Sequence, residues 1–180
     1  MIIALAGRRV DAGDAQVVRF PLSEIEAVKA KLKDLFLSLR PEALVSSAAC
    51  GADLLGLAVA GELNIPRAIV LPFDASVFKT TSVTDRPGDW GLLYETILDE
   101  VANEEGIKVL DYSPDDGETY RNANFAILDV AETLGSRYTT TDFVAVIVWE
   151  GTPKNSDDTT EHFRKAAETR DFLIKEVLSI

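Results

Sequence analysis

The sequence predicts a three-layer α/β fold with five or six mostly parallel strands and helices on both faces. Three observations predict it. Short apolar runs alternate with longer amphipathic segments from one end of the chain to the other. The strand-like runs are continuous rather than alternating, as expected of strands covered on both faces. No internal repeat, low-complexity tract or linker interrupts the series, so residues 1–180 read as a single domain.

Residues 2–6, all apolar, predict the first strand, which stops at Gly7. Ser23 and Glu26 spell a Ser-x-x-Glu capping box. From there Ile25, Val28, Leu32, Leu35, Phe36 and Leu39 recur at helical spacing until Pro41 closes the helix. Residues 43–45 predict a brief second strand. Leu54, Leu55, Ala58 and Leu63 mark a second helix ending near Asn64, two residues before Pro66. Residues 68–71 predict a third strand, stopped by Pro72.

Residues 74–90 read as a long polar loop, a length that compact domains reserve for functional or mobile segments. Residues 90–105 read as a helix with Leu93, Ile97 and Val101 on one face. A fourth strand follows over 107–110, then an acidic turn region over 111–117. Residues 120–134 read as a helix with Ala123, Phe125, Ile127, Leu128 and Ala131 inward. Residues 143–149 form the most hydrophobic strand, expected at the centre of the sheet. After a polar loop, residues 159–169 read as a helix. Residues 172–178 suit either a prolongation of that helix or a strand, and the strand–helix alternation favours the strand.

Composition narrows the function classes. Hydrophobic residues at 47% and charged residues at 27% fit an ordinary globular chain and exclude disorder. Eighteen Lys and Arg against 30 Asp and Glu give a net charge of −12. That argues against a duplex nucleic-acid partner, whose binding depends on neutralising phosphates. It leaves room for a local pocket that takes a small anion. One Cys, Cys50, and one His, His162, make a disulfide or a zinc site an unfavourable reading, and no metal or cofactor is called for. With no signal-like segment and no run of 18 apolar residues, the chain reads as cytoplasmic, with no membrane partner.

In an open parallel sheet, ligands bind at the carboxyl ends of the strands. Four loops at that edge carry unusual residues. Gly7, Arg8 and Arg9, with Asp11, follow the first strand, and paired guanidinium groups match phosphate oxygens. A solvated turn with surface ion pairs is the bland alternative. Ser46, Ser47, Gly51, Ala52 and Asp53 form a small-residue strand-to-helix turn whose N–H groups suit a phosphate. A tight turn capped by Asp53 is the competing reading. Phe73 or Phe78 offers a surface for a base or sugar, with Ser82 nearby. Glu150, Gly151 and Thr152 follow the hydrophobic strand, where Glu150 suits ribose hydroxyls or a catalytic base.

Taken in order, these loops resemble the SLOG superfamily of Rossmann-like nucleotide-binding domains. The matching elements are Gly7-Arg8-Arg9 with Asp11, the turn from Ser46 to Asp53, and Leu71-Pro72-Phe73 with Phe78, Ser82 and Val83. Tyr120 with Asn124 and Val148-Trp149-Glu150-Gly151 complete the set. Relatives there include the Lonely Guy phosphoribohydrolases, the DNA-processing A proteins and the ligand-sensing domains of some cation channels. The resemblance implies a Rossmann-like fold and a phosphate-bearing nucleotide or nucleotide derivative held above the sheet. By analogy it also implies a homodimer. The Pro-Gly-Gly-x-Gly-Thr-x-x-Glu signature of the phosphoribohydrolases is absent from the loop that begins at Glu150.

The leading expectation is therefore binding or sensing of a nucleotide-like anion. Arg8 and Arg9 would contact phosphate, Ser46, Ser47, Gly51 and Ala52 would supply donors, and Glu150 and Thr152 would hold ribose hydroxyls. Asp11 and Asp53 would position the arginines and the second helix. The alternative is a hydrolase cleaving the N-glycosidic bond of a nucleoside phosphate, with Glu150 or Asp53 as base or cation stabiliser.

Overall fold

The computed structural model describes residues 1–102 and 106–180. In chain order the elements are β1 (Ile2–Gly7), α1 (Ile25–Leu39), β2 (Ala43–Ser46), α2 (Ala52–Glu62), β3 (Arg67–Leu71) and α3 (Ala75–Phe78). They continue with α4 (Trp90–Ala102), β4 (Ile107–Val109), α5 (Thr119–Tyr138), β5 (Phe143–Trp149), α6 (Thr159–Thr169) and β6 (Leu173–Leu178). All six strands are parallel and lie in the order β4-β3-β2-β1-β5-β6. The three-layer, Rossmann-like α/β fold that the sequence predicts is the fold observed.

Successive side chains of a strand point to opposite faces, so each interior strand feeds two cores. From β1, Ile3 and Leu5 pack with Val28, Leu32 and Phe36 of α1, Leu54 and Leu57 of α2, and Ile97 and Val101 of α4. Ile2, Ala4 and Ala6 face the other way, onto Ala126, Ile127 and Ala131 of α5 and Phe163 and Ala167 of α6. This explains the continuous apolar runs. No helix among the described residues is long and apolar enough to cross a membrane.

The connections explain where the site lies. The chain builds outward from β1 to β4, then α5 carries it back beneath the sheet so that β5 pairs with the free side of β1. Ile2 stands opposite Phe143 and Gly7 opposite Val148. Between β1 and β5 the direction of winding reverses, and at such a switch point the loops diverge and leave a crevice beyond the strand ends. Gly7 makes that seam tight. A Cβ there would lie 2.4 Å from the Val148 carbonyl oxygen and 2.6 Å from the Ala52 Cβ, so only glycine lets α2 sit this close to both strands.

Several local expectations change. The Ser23–Glu26 capping box does not form. Leu22–Glu24 is a 3₁₀ turn that delivers the chain already helical into α1, whose N-cap is Glu24 with no side-chain cap bond. The expected loop over 74–90 is helical in its first half: α3 runs straight into a π-helical turn, Lys79–Val83. Asp74 starts it by accepting from the Ser76 and Val77 N–H groups, and buried Phe78 anchors it. Helix α5 extends to Tyr138 and buries Ala126, leaving Phe125 half-buried. Within residues 172–178, Leu173–Leu178 form strand β6, as the alternation favours. Of the helix expected over 90–105, positions 103–105 lie outside the described residues.

Candidate functional site

A cleft of about 490 Å³ opens at the carboxyl ends of the strands, beside the β1–β5 seam. That volume lies in the range of small-molecule sites. Directly after β1, Arg8 turns inward and is only 2% exposed. Its Nε donates to Glu150 Oε2 at 2.6 Å and its Nη2 to Glu150 Oε1 at 3.0 Å. Nη1 donates to Asp158 Oδ1 at 2.7 Å, and Nη2 also to the Thr152 carbonyl oxygen at 2.9 Å. The guanidinium carbon stands 5.8 Å from the centroid of the Trp149 ring.

Burial works against these charges, and the pairing overcomes it. Desolvation alone would push Asp158 up, but hydrogen bonds from Arg8 and the Lys154 N–H hold its carboxyl down at about 2. Asp158 also caps α6 by accepting from the Thr160 and Glu161 N–H groups. Glu150 is likewise desolvated, yet Arg8 and Arg19 keep it below the usual carboxylate range. Arg8 itself is held above its ordinary value against its burial by Asp158 and Glu150. With two carboxylates around it, Arg8 is a strut between β1, β5 and α6.

The second wall is the segment after Arg9. The Asp11 carboxylate accepts from the main-chain N–H groups of Arg19 and Phe20, and the Asp11 N–H donates to the Phe20 carbonyl oxygen. These bonds close the neck of a compact loop, anchored by fully buried Phe20. Ala12, Ala15, Val17 and Arg19 from this loop face the cleft. Arg19 also pairs with Glu150, and its carbonyl oxygen accepts from the Ser179 hydroxyl at 2.6 Å.

Further round the rim, Arg9 Nη1 meets both Asp85 oxygens at 2.9 and 2.8 Å and the Thr81 carbonyl oxygen at 3.2 Å. Arg86 approaches the same carboxylate at 3.4 Å. Lys154 stands at the mouth, where desolvation and the neighbouring Arg8 lower its ammonium from the ordinary value. Pro72, Phe78 and Tyr120 also line the cleft, with the Ser82 and Tyr120 hydroxyls 3.1 Å apart. Asn124 and Thr159 line it as well, the Asn124 amide donating to the Thr159 carbonyl oxygen at 3.0 Å.

Asp53, in the first turn of α2, forms part of the floor and is 8% exposed. Its Oδ2 accepts a long bond from the Ala49 N–H at 3.3 Å. Burial dominates its chemistry and pushes the carboxyl up to about 7, against the weaker pull of that N–H and of Arg9. Cys50, beside it in sequence, is fully buried, and desolvation raises its thiol to about 11. Among the described residues no three His, Cys, Asp or Glu side chains converge as a metal site requires.

Of the residues singled out in the sequence, Gly7, Arg8, Arg9, Asp11, Ser47, Asp53, Phe78 and Ser82 wall the cleft together. The others stand behind the wall. The Ser46 hydroxyl is buried and donates to the Leu5 carbonyl oxygen at 2.9 Å. Gly51, at φ 96°, shapes the turn, and the Ala52 N–H is used by the Arg8 carbonyl oxygen at 3.1 Å. Phe73 packs edge-on to Tyr120 and tilted against Phe78. Phe78 itself is 2% exposed and stacked on Tyr94. Glu150, Gly151 and Thr152 stand off the cleft, because Arg8 takes the Glu150 carboxylate and the Thr152 carbonyl while Gly151 turns at φ 89° beside Leu178. Asp11 holds its own loop rather than the arginines.

Arg19 escaped the sequence reading because it sits in an aperiodic stretch twelve residues past Gly7; only its placement between Val18 and buried Phe20 sets it apart. Comparison of the chain with known protein families finds no match, and comparison with curated proteins finds none either.

Proposed function

We propose that the cleft binds a small, phosphate-bearing, nucleotide-like ligand. The observation that carries this reading is charge placement. In a chain of net −12, Arg8, Arg9, Arg19, Arg86 and Lys154 all border one cavity. Arg8 and Arg19 are committed to Glu150. Among the described residues Arg9 is engaged only through Nη1, so its Nε and Nη2 edge has the geometry for a bidentate phosphate contact. Arg86 shares its Asp85 partner, and Lys154 lines the same cleft near Arg8. Tyr120, 39% exposed, offers a face for a base within the same cleft.

Binding fits better than glycosidic cleavage through Glu150, whose carboxylate is fixed between two arginines and kept ionised. Titration calorimetry with AMP, ADP-ribose and NAD tests the proposal, with free base followed by chromatography in the same samples. The expected result is saturable binding of at least one of them, weakened roughly tenfold or more in Arg9→Ala and falling with salt. Absence of binding by all three, or release of free base, overturns it.

A further inference from the structure

Two carboxylates belong to the cleft wall, and their surroundings differ. Asp11 is occupied by two main-chain N–H groups. Among the described residues, Asp53 has the 3.3 Å bond from the Ala49 N–H on Oδ2 and, beyond it, only a weaker contribution from the Ser46 hydroxyl. The nearby Ser46 hydroxyl gives its hydrogen to Leu5. Arg9 is the charged group that acts on Asp53, and the two make no ion pair within 4 Å.

An enclosed carboxyl with so few donors is costly to keep, and such groups are characteristic of binding sites. Further donors can reach it from the cleft that it lines. A cationic group on the guest would be repelled by Arg9 and the rest of the basic rim. Neutral donors carried by an anionic guest meet both demands, and hydroxyl groups on a carbon skeleton are such donors. Resting on the reading of this cleft as a phosphate site, we infer that Asp53 accepts hydrogen bonds from hydroxyl groups of the bound molecule and selects polyhydroxylated phosphates over their deoxy counterparts. This gives Asp53 the part that the sequence had suggested for Glu150 and Thr152.

The test is calorimetric titration at pH 8 with AMP and with 2′,3′-dideoxy-AMP, which share phosphate and base and differ in ribose hydroxyls. The wild-type protein should prefer AMP by roughly 10- to 100-fold, the range for hydrogen bonds to a charged group. Asp53→Asn should shrink that ratio and Asp53→Ala should bring it close to one, while Arg9→Ala weakens both nucleotides alike. Equal affinity of the wild-type protein for the two nucleotides overturns the inference and leaves the phosphate reading intact. Discrimination that survives in both Asp53 variants does the same. A wild-type protein that binds neither nucleotide overturns both.

Discussion

Arg8 and Glu150 meet side-on across the seam between β1 and β5, with Nε 2.6 Å from Oε2 and Nη2 3.0 Å from Oε1. Both side chains are almost wholly enclosed, at 2% and 5% exposure. This bidentate pair, extended by Asp158 and Arg19, joins two strand ends, a helix N-terminus and the cleft loop. The sequence draws the eye to Arg8 as an anion hook, yet its surroundings make it the piece that keeps the cleft in shape.

Removing one partner of an enclosed pair strands the other. Glu150→Ala should lower unfolding free energy by about 3–5 kcal/mol, because Arg8 then keeps only Asp158 and a carbonyl. Urea denaturation measures this, and a loss below about 1 kcal/mol would show that the pair contributes little.

Asp158 should leave a mark in acid. Its native carboxyl titrates at about 2 against an ordinary 3.8, so its stabilising contribution is present above pH 4 and disappears as pH falls through 2. The contribution is about 2 kcal/mol. Asp158→Asn should be less stable than wild type at pH 6, with the gap closing towards pH 2. Parallel stability curves for the two proteins would contradict this.

Asp53 has the opposite sign. Its native carboxyl keeps a proton up to about pH 7, whereas the unfolded chain loses it near 3.8. Stability therefore declines between roughly pH 4 and 7 and levels off above, by as much as about 4 kcal/mol. Asp53→Asn should raise the melting temperature at pH 8 and leave it nearly unchanged at pH 4. A variant equally destabilised at both values would refute the assignment.

Cys50 is fully buried with its thiol raised to about 11, so almost no thiolate is present at pH 8. A thiol reagent such as DTNB should leave the native protein unmodified over minutes and label one thiol per chain in urea. Rapid labelling without denaturant would mean that the β2–α2 turn opens readily.

What the sequence made legible, and what it hid, follows from the range of the forces involved. Residues 2–6 and 143–149 declare themselves as interior strands because burial on both faces demands unbroken apolar runs. The start of α6 is readable because Asp158 caps it locally. The helical turn over Lys79–Val83 was hidden, since Thr80, Thr81 and Ser82 look like loop residues; their place depends on Phe78 packing against Tyr94. At the site, Arg9 and Asp53 are legible because they sit just past a strand end and in the first turn of a helix, and Phe78 because it is a large aromatic in a polar stretch. The true partners of Glu150 are not, because one is Arg19, at no fixed spacing from any element. Nothing local in a sequence records a pairing between residues 142 positions apart, as between Arg8 and Glu150.

That separation bears on how the molecule comes into being. With α5 returning the polypeptide to the middle of the sheet, the inner strand β1 waits for β5 to find its second neighbour. A nascent chain emerging from the ribosome can assemble β1 through β4 as a half-sheet, but its Arg8 has no carboxylate to meet until the last sixth of the polypeptide follows. The crevice beside the β1–β5 seam is thus among the last parts to mature, and truncations before Phe143 remove β5, Glu150 and Asp158 together, leaving one side of β1 open and Arg8 without its carboxylates.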